Sequence, residues 1–338
     1  MKAIYLIKYG ESDKAFEIRD IEIPEIGEDD VLIKVLYSGL NFADIIARRG
    51  LYPDAPKNPA LLGYDVAGEV VAVGDGVTEI AIGQKVVAMT RFGGYAEYVV
   101  TNKYGVAVVP DNIKLSDATI LATQACTAYY CAEECTTFHS GDRVLIQAAA
   151  GGVGSLLVQM AKNKGCIVYG TASKAKKEYL AGLGVDYIFD YSTVDFYKEI
   201  RSLGHAMDVV FDSIGGTVFR KGMKLLGPGG KMICFGAAEQ MDSTRNKLKL
   251  ISMLWGFGLF SPISLLMQSK SVITVNMLRI ADYKPNVLNH VLNRVVNMAE
   301  KGDIQLFVDK IFPYEDIAQA HDYLESRKSK GKVVLEWS

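Results

Sequence analysis

The run Arg143-Val-Leu-Ile-Gln-Ala-Ala-Ala-Gly-Gly-Val-Gly154, continued by Ser-Leu-Leu-Val-Gln-Met-Ala-Lys162, is where the chain first shows chemistry. An apolar strand pattern meets a glycine-rich turn and then an amphipathic helix pattern. Glycines let the backbone approach a pyrophosphate, and the helix start beyond them offers free N–H groups and a positive dipole end. Such a corner holds a dinucleotide. Ala149 occupies the first glycine position of the usual fingerprint, with Gly151 and Gly154 in the other two. A glycine run alone is a weak signal. It gains weight from a second apolar strand pattern, Cys166-Ile-Val-Tyr-Gly-Thr171, at the spacing a nucleotide-binding unit requires.

The end of that second strand selects the cofactor. A carboxylate there would grip a ribose 2′-hydroxyl. No Asp or Glu occurs between Arg143 and Lys177, and the strand runs into Thr171-Ala-Ser-Lys-Ala-Lys-Lys177. Ser173 can donate a hydrogen bond, and Lys174, Lys176 and Lys177 can neutralise a 2′-phosphate that an acid would repel. The expectation is NADPH rather than NADH. A solvated, lysine-rich helix start is the competing reading; it accounts for the lysines but not for the missing acid.

The elements that must position this corner fall into two patterns. Residues 1–120 are strand-rich: Val31–Tyr37, Val66–Val73, Gln84–Met89 and Gly93–Val99 are short apolar runs bounded by turn residues. From about Leu121 helices and strands alternate, with helix patterns at 116–134, 155–164, 174–182, 193–202 and 217–226. The interleaved strand patterns are 143–148, 166–171, 187–190, 208–212, 231–236 and 271–276. This is the signature of a parallel, doubly wound sheet covered on both faces. Two helix patterns (from Pro285 and from Glu315) and a closing strand, Lys332–Glu336, complete the chain. The expected fold is α/β: a Rossmann domain over 124–277, inserted in a β-rich domain made of 1–123 and 278–338.

Composition bounds the function class. The chain has 338 residues, a net charge of −2, 49% hydrophobic and 22% charged residues, a soluble globular balance with no basic stripe for nucleic acid. Five cysteines without a disulfide-like framework, and no leader pattern, suggest a reducing cytoplasm. Leu248–Met267 is largely apolar after Arg245, Lys247 and Lys249, but Gly256, Gly258, Ser261, Pro262 and Ser264 interrupt it. That argues against a membrane span and leaves a cleft cover, a subunit surface or a peripheral membrane contact through 245–267.

Six segments carry a family resemblance: Ser38-Gly-Leu-Asn41-Phe-Ala-Asp44, Gly50-Leu-Tyr52, Gly63-Tyr-Asp-Val-Ala-Gly68, Thr127-Ala-Tyr129, Ala148–Gly154 and Gly331-Lys-Val-Val-Leu335. With the domain order, they resemble the zinc-free quinone oxidoreductase branch of the medium-chain dehydrogenase/reductase superfamily, and most of all its vesicle amine transport protein-like members. The β-rich domain is then GroES-like. The zinc branch places a Cys and a Gly-His-Glu motif where this chain has Ser38 and Gly63-Tyr64-Asp65, so no metal is expected.

The resemblance implies NADPH-driven hydride transfer to a quinone or an α,β-unsaturated carbonyl. Asn41, Tyr52 and Tyr64 would serve as neutral donors to the developing oxyanion, with Asp44 orienting neighbours. Each has a plainer reading: Asn41 in a turn, Tyr52 as an interface aromatic, Asp44 as a helix cap or ion-pair partner. Ile46 replaces a tyrosine frequent in the family. For the cofactor, the resemblance places Gly151, Gly152 and Val153 at the pyrophosphate and Thr127 and Asn41 near the nicotinamide. It places Ser173, Lys176, Tyr191 and Arg327 at the 2′-phosphate, and Phe235-Gly236 at the next strand corner. It also implies a homodimer paired through 271–276. Two further readings stay open: an enoyl-thioester reductase, and an NADPH-binding protein of membranes or complexes with little turnover.

Overall fold

The computed structural model describes residues 1–236 and 261–337. The chain forms two compact units, Met1–Cys126 with Met277–Ser338, and Thr127–Asn276. The first unit opens with strands β1 (Lys2–Leu6), β2 (Phe16–Asp20), β3 (Asp30–Leu40), β4 (Ala60–Leu61), β5 (Asp65–Val73), β6 (Lys85–Met89), β7 (Tyr98–Asn102) and β8 (Val106–Val108). The second holds β9 (Arg143–Ile146), β10 (Ile167–Ala172), β11 (Tyr187–Asp190), β12 (Met207–Asp212), β13 (Leu226–Cys234) and β14 (Ser271–Thr274). The chain then returns to the first unit with β15 (Val308–Pro313) and β16 (Lys332–Glu336).

In the second unit the strand order is β11-β10-β9-β12-β13-β14, every pair parallel. This is the doubly wound arrangement, with the first strand central and the order reversing beside it. In the first unit a seven-stranded sheet runs β15-β16-β3-β5-β6-β8, with β7 also paired to β3. Its β3 reads as a half-buried strand should: Val31, Ile33 and Val35 are buried and join the core with Val66, Val70, Val86, Val333 and Leu335. Two registers matter for function. Antiparallel pairing sets Gly39 of β3 opposite Asp65 of β5 and also opposite Val334 of β16. The end of β3, the start of β5 and the start of β16 are therefore neighbours.

Four elements differ from the sequence expectation. The segment Gly93–Val99 is mostly loop, with the strand shifted to Tyr98–Asn102. Gly93 takes φ +83°, and a Cβ on Gly94 would lie 3.1 Å from the Gly63 backbone, so this stretch is shaped by a close chain approach. The helix expected at 116–134 is broken after Leu115–Ala118 and resumes with π-type turns at Leu121–Ala125 and Tyr130–Glu134. At the first of these the Thr123 N–H goes to the Asp65 carboxylate at 3.0 Å. π-turns often mark functional sites. The helix Met277–Tyr283 and the edge strand Val308–Pro313, whose Asp-Lys centre and terminal proline hide its alternation, were not foreseen. Of the apolar segment, residues 248–260 lie outside the described residues; Pro262–Gln268 is a helix.

Candidate functional site

The site begins at the junction of those three strand ends. Asn41 follows β3 and starts the helix Phe42–Arg48; its backbone N–H donates to Asp44 Oδ2 at 2.8 Å. Asp44 thus caps its own helix start, as one reading of the sequence had it, and its Oδ1 accepts the Gly63 N–H at 3.3 Å. The Asn41 side chain is held at both ends. Its Nδ2 donates to Asp65 Oδ2 at 2.8 Å, and its Oδ1 accepts from Lys332 Nζ at 2.9 Å. Lys332 is ion-paired with Asp65, both fully buried, and Asp65 Oδ1 takes Thr123 N and Oγ1.

A buried pair of this kind is stable only when its remaining hydrogen-bonding capacity is satisfied; losing one partner costs about 3–5 kcal/mol. Here Asn41 and Thr123 supply that capacity. Space for the lysine comes from Gly39: a Cβ there would lie 2.3 Å from Lys332 Cε. The sequence reading found Asn41 but missed Lys332, Asp65 and Thr123 as its supports. The legible signals were a lysine and an aspartate opening otherwise apolar strands, and a glycine inside β3.

Around Asp44 the charge balance is unusual. Burial pushes its carboxyl up to about 7; the Asn41 N–H pulls the other way, Asp65 adds to the rise and Lys332 opposes it. Tyr64, only 4% exposed, has its hydroxyl pushed up by burial and by Asp44. That hydroxyl has Tyr52 as its polar neighbour, and the Tyr64 ring rests on Phe92 at 4.9 Å. Tyr52 is partly buried and packs on the same core. Ser38, where zinc relatives place a ligand, is fully used: Oγ donates to the Gly94 carbonyl and accepts from Trp337 Nε1 at 2.8 Å. No group of three His, Cys, Asp or Glu able to hold a metal occurs among the described residues. The residues present here do not fit a catalytic zinc.

The glycine corner forms a second, separate constellation. The helix Gly152–Asn163 starts at Gly151, whose N–H donates to the Ala148 carbonyl at 2.9 Å. A Cβ on Gly154 would lie 2.4 Å from the Ala148 carbonyl oxygen, so only glycine lets helix and turn approach. Ala149 takes the usual glycine place because Gly170 of β10 leaves room beneath it; a Cβ on Gly170 would sit 3.0 Å from that of Ala149. The turn is pinned by Ala149 N to Thr171 O at 3.0 Å and Ala148 N to Thr171 Oγ1 at 3.2 Å. A backbone cradle at a helix start fits a dinucleotide pyrophosphate.

Beside it, past the carboxyl ends of β10 and β11, a cavity of ≈ 450 Å³ is lined by Ser173, Lys174, Lys177, Phe189, Asp190 and Glu199 among others. Lys176 and Tyr191, expected here, are not among its lining residues. Residues Lys174–Lys176 form a 3-10 turn, which puts positions three apart on one side, so Lys174 and Lys177 share the cavity wall. Tyr191 is 50% exposed. Asp190 was missed: its parallel register with Ala172 brings it beside the end of β10. Its carboxyl is held low by hydrogen bonds from Ser192, with Lys174 adding to the effect. Phe235-Gly236 follows β13 at the same sheet end, Phe235 N bonding Asp212 O at 3.0 Å. Thr127 is buried at the start of the second unit, and Arg327 is an exposed residue of the first, with φ +59° after the helix Ile317–Glu325.

Family models agree with this geometry. Residues 27–111 match the alcohol dehydrogenase GroES-like domain, and 183–335 match the zinc-binding dehydrogenase model. The human synaptic vesicle membrane protein VAT-1 homolog is 31% identical over 99% of this chain and 86% of its own length. The chain belongs to the medium-chain dehydrogenase/reductase superfamily. Within it, this superfamily member superposes on the Escherichia coli quinone oxidoreductase complexed with NADPH with a TM-score of 0.85, at 26% identity over 100% of both chains. CurK enoyl reductase gives a TM-score of 0.85 at 26% identity, over 99% of this chain and 98% of that one. The superfamily member therefore has the α/β fold expected of it, a GroES-like β-domain with a parallel Rossmann sheet. Among the described residues no helix is long and apolar enough to cross a membrane.

Proposed function

We propose that the chain is an NADPH-dependent reductase that passes hydride to a quinone or to the β-carbon of an α,β-unsaturated carbonyl, without zinc. The observation that carries this reading is the Asn41 amide clamped between Asp65 and Lys332. One Nδ2 hydrogen is spent on Asp65, and the other is left for the oxygen on which negative charge collects. A neutral donor held by a buried ion pair needs no reorganisation as that charge develops, which is where donors gain most. Tyr52 and Tyr64 stand as further donors, and Asp44 fixes Asn41 through its backbone.

NADPH, when bound, supplies the hydride. Gly151, whose missing side chain lets the phosphates approach, and the N–H groups of Gly152 and Val153 would hold its pyrophosphate. Ser173 with Lys174 and Lys177 would hold the 2′-phosphate, the two lysines offsetting the Asp190 carboxylate of the same cavity, in place of the Lys176 suggested by the resemblance; Tyr191 lies outside that lining. Phe235-Gly236 would close the next corner, and Thr127 would stand near the nicotinamide. The likeness to the NADPH-complexed quinone oxidoreductase supports this cofactor. The strand β14 lies at the sheet edge, which suits pairing with a second copy.

The deciding experiment is NADPH oxidation with 1,4-benzoquinone, 9,10-phenanthrenequinone, simple enones and an enoyl thioester, with NADH in parallel. Turnover with NADPH and little with NADH supports the reading, and the best acceptor names the substrate group. Preference for the thioester favours the enoyl reductase alternative, which the CurK likeness supports. Tight NADPH binding with no turnover favours a membrane role. For that role the helix Pro262–Gln268 offers Ile263, Leu266 and Met267 at 72%, 76% and 80% exposure. Flotation with anionic liposomes reads it directly.

A further inference from the structure

Behind Asn41 a line of buried polar groups runs toward the surface of the first unit. The helix Phe42–Arg48 carries Asp44 and Arg48 one turn apart on one face, and the helix Ile317–Glu325 carries His321 and Glu325 likewise. The two helices pack together, and Arg48 Nη2 is paired with Glu325. Between them stands His321, with Phe16 on one side at 4.6 Å and the edge of Tyr95 on the other at 6.0 Å. Tyr95 in turn faces Asp44.

Asp44, Arg48, Tyr95 and His321 are all 0% exposed. Yet both ring nitrogens of His321, and Nε and Nη1 of Arg48, make no hydrogen bond within the protein, and the Tyr95 hydroxyl has only the Asp44 carboxyl beside it. The Tyr64 hydroxyl is also buried, with Tyr52 as its polar neighbour and the charge of Asp44 acting on it. Folded proteins rarely leave buried polar groups unmatched, and clusters of them hold ordered water that bonds two to four partners. So many in one seam are more than one helix packing on another requires; leucine and phenylalanine would fill it.

We propose that this seam is a hydrated proton track: Asp44 gives a proton to the reduced acceptor through the Tyr64 and Tyr52 hydroxyls, and is recharged from the Glu325 side. The proposal rests on the reductase reading above. In the step, the Asp44 O–H bond breaks as a water of the seam takes that proton and gives up another to Tyr64; Tyr64 passes its own to Tyr52, and Tyr52 passes its own to the acceptor's oxyanion. Water in the seam then reprotonates Asp44; no electrons move. The groups facing Asp44 are Asn41, Gly63, Asp65, Lys332, Tyr64 and Tyr95. Those at and beyond His321 are Arg48, Glu325, Arg49 and Glu11. Burial keeps the Asp44 carboxyl protonated up to about pH 7, and burial with Arg48 keeps His321 neutral, one ring nitrogen donating and the other accepting.

Infrared spectroscopy of the purified full chain with isotope-labelled aspartate tests the track without any cofactor. A protonated-carboxyl band that vanishes as pH rises through about 7, and is missing in Asp44→Asn, is expected. No such band in wild type overturns the proposal whatever the turnover. In the second arm, Tyr95→Phe and His321→Leu are expected to leave the Kd for NADPH unchanged. Both should lower kcat roughly tenfold and alter its solvent deuterium isotope effect. Wild-type kcat and isotope effect in both variants overturn the track even if the band is present. Absence of turnover in wild type overturns the reductase reading and the delivery step together, and the band alone then reports the buried acid.

Discussion

Asp44 and His321 impose opposite pH dependences on the stability of the first unit. Burial raises the Asp44 carboxyl from 3.8 to about 7. Between those values the folded unit keeps a proton that the unfolded chain has released. Its contribution is therefore complete below the unfolded value and is lost as pH rises to about 7. Roughly three pH units at about 1.4 kcal/mol each amount to about 4 kcal/mol. His321 works the other way: burial, and then Arg48, push its imidazole well below 6.5, so its contribution is complete above that value and declines as pH falls.

Asp44→Asn removes the first dependence and keeps the second. Relative to wild type, the variant is expected to gain about 4 kcal/mol between about pH 4 and about pH 7. His321→Leu is expected to gain on wild type as pH drops below about 6.5. The assay is urea unfolding followed by Trp337 fluorescence. Trp337 stacks on Tyr314 at 4.6 Å within the first unit, and Trp255→Phe removes the other of the two tryptophans. A stability difference between Asp44→Asn and wild type that stays constant across this pH range refutes the burial argument.

Lys332→Met is expected to destabilise the first unit by about 3–5 kcal/mol, because Asp65 is left charged and buried. Pairing it with Asp65→Leu removes the buried charge and should restore part of that stability in the same urea assay, the Thr123 and Asn41 donors being left unmatched, without restoring turnover. Gly39→Ala places a methyl 2.3 Å from Lys332 Cε and should lower kcat while sparing the Kd for NADPH. Unchanged kcat would mean that the lysine is not what holds Asn41 in place. Ser173→Asp is expected to raise the KM for NADPH roughly ten- to a hundredfold by repelling the 2′-phosphate, with little effect on NADH. An unchanged KM sinks that assignment. Among the lysines, Lys174→Ala and Lys177→Ala should weaken NADPH binding more than Lys176→Ala; titration calorimetry ranks the three.

Much of the second unit was legible because its strands are buried on both faces and its turns carry glycines with one physical meaning each. Gly154 is forced by the contact with Ala148, and the alternation of helix and strand requires a parallel sheet covered on both faces. The first unit was harder to read. Its strands are short, and the loop at Gly93 is set by Gly63 from elsewhere in the chain. Residues that support Asn41 come from three separate stretches, so no local pattern announces them. Tyr64 attracted notice through its motif, while its neighbour Asp65 carries the ion pair. The same holds for the cavity at Ser173. A run of lysines does not say which of them line it; the geometry of the 3-10 turn puts Lys174 and Lys177 on one side.

Lys332 reaches Asn41 across 291 residues of sequence, and its Asp65 partner across 267. During synthesis, Asn41, Asp65 and Thr123 are all made long before the lysine that completes their cluster. The intervening second unit, Thr127–Asn276, is continuous in sequence and can fold in that interval. Until residue 332 emerges, the junction holds an unmatched carboxylate and must stay open to water. The cluster is therefore completed last, and a chain interrupted before β16 would carry a finished parallel sheet and an Asn41 amide held by Asp65 alone.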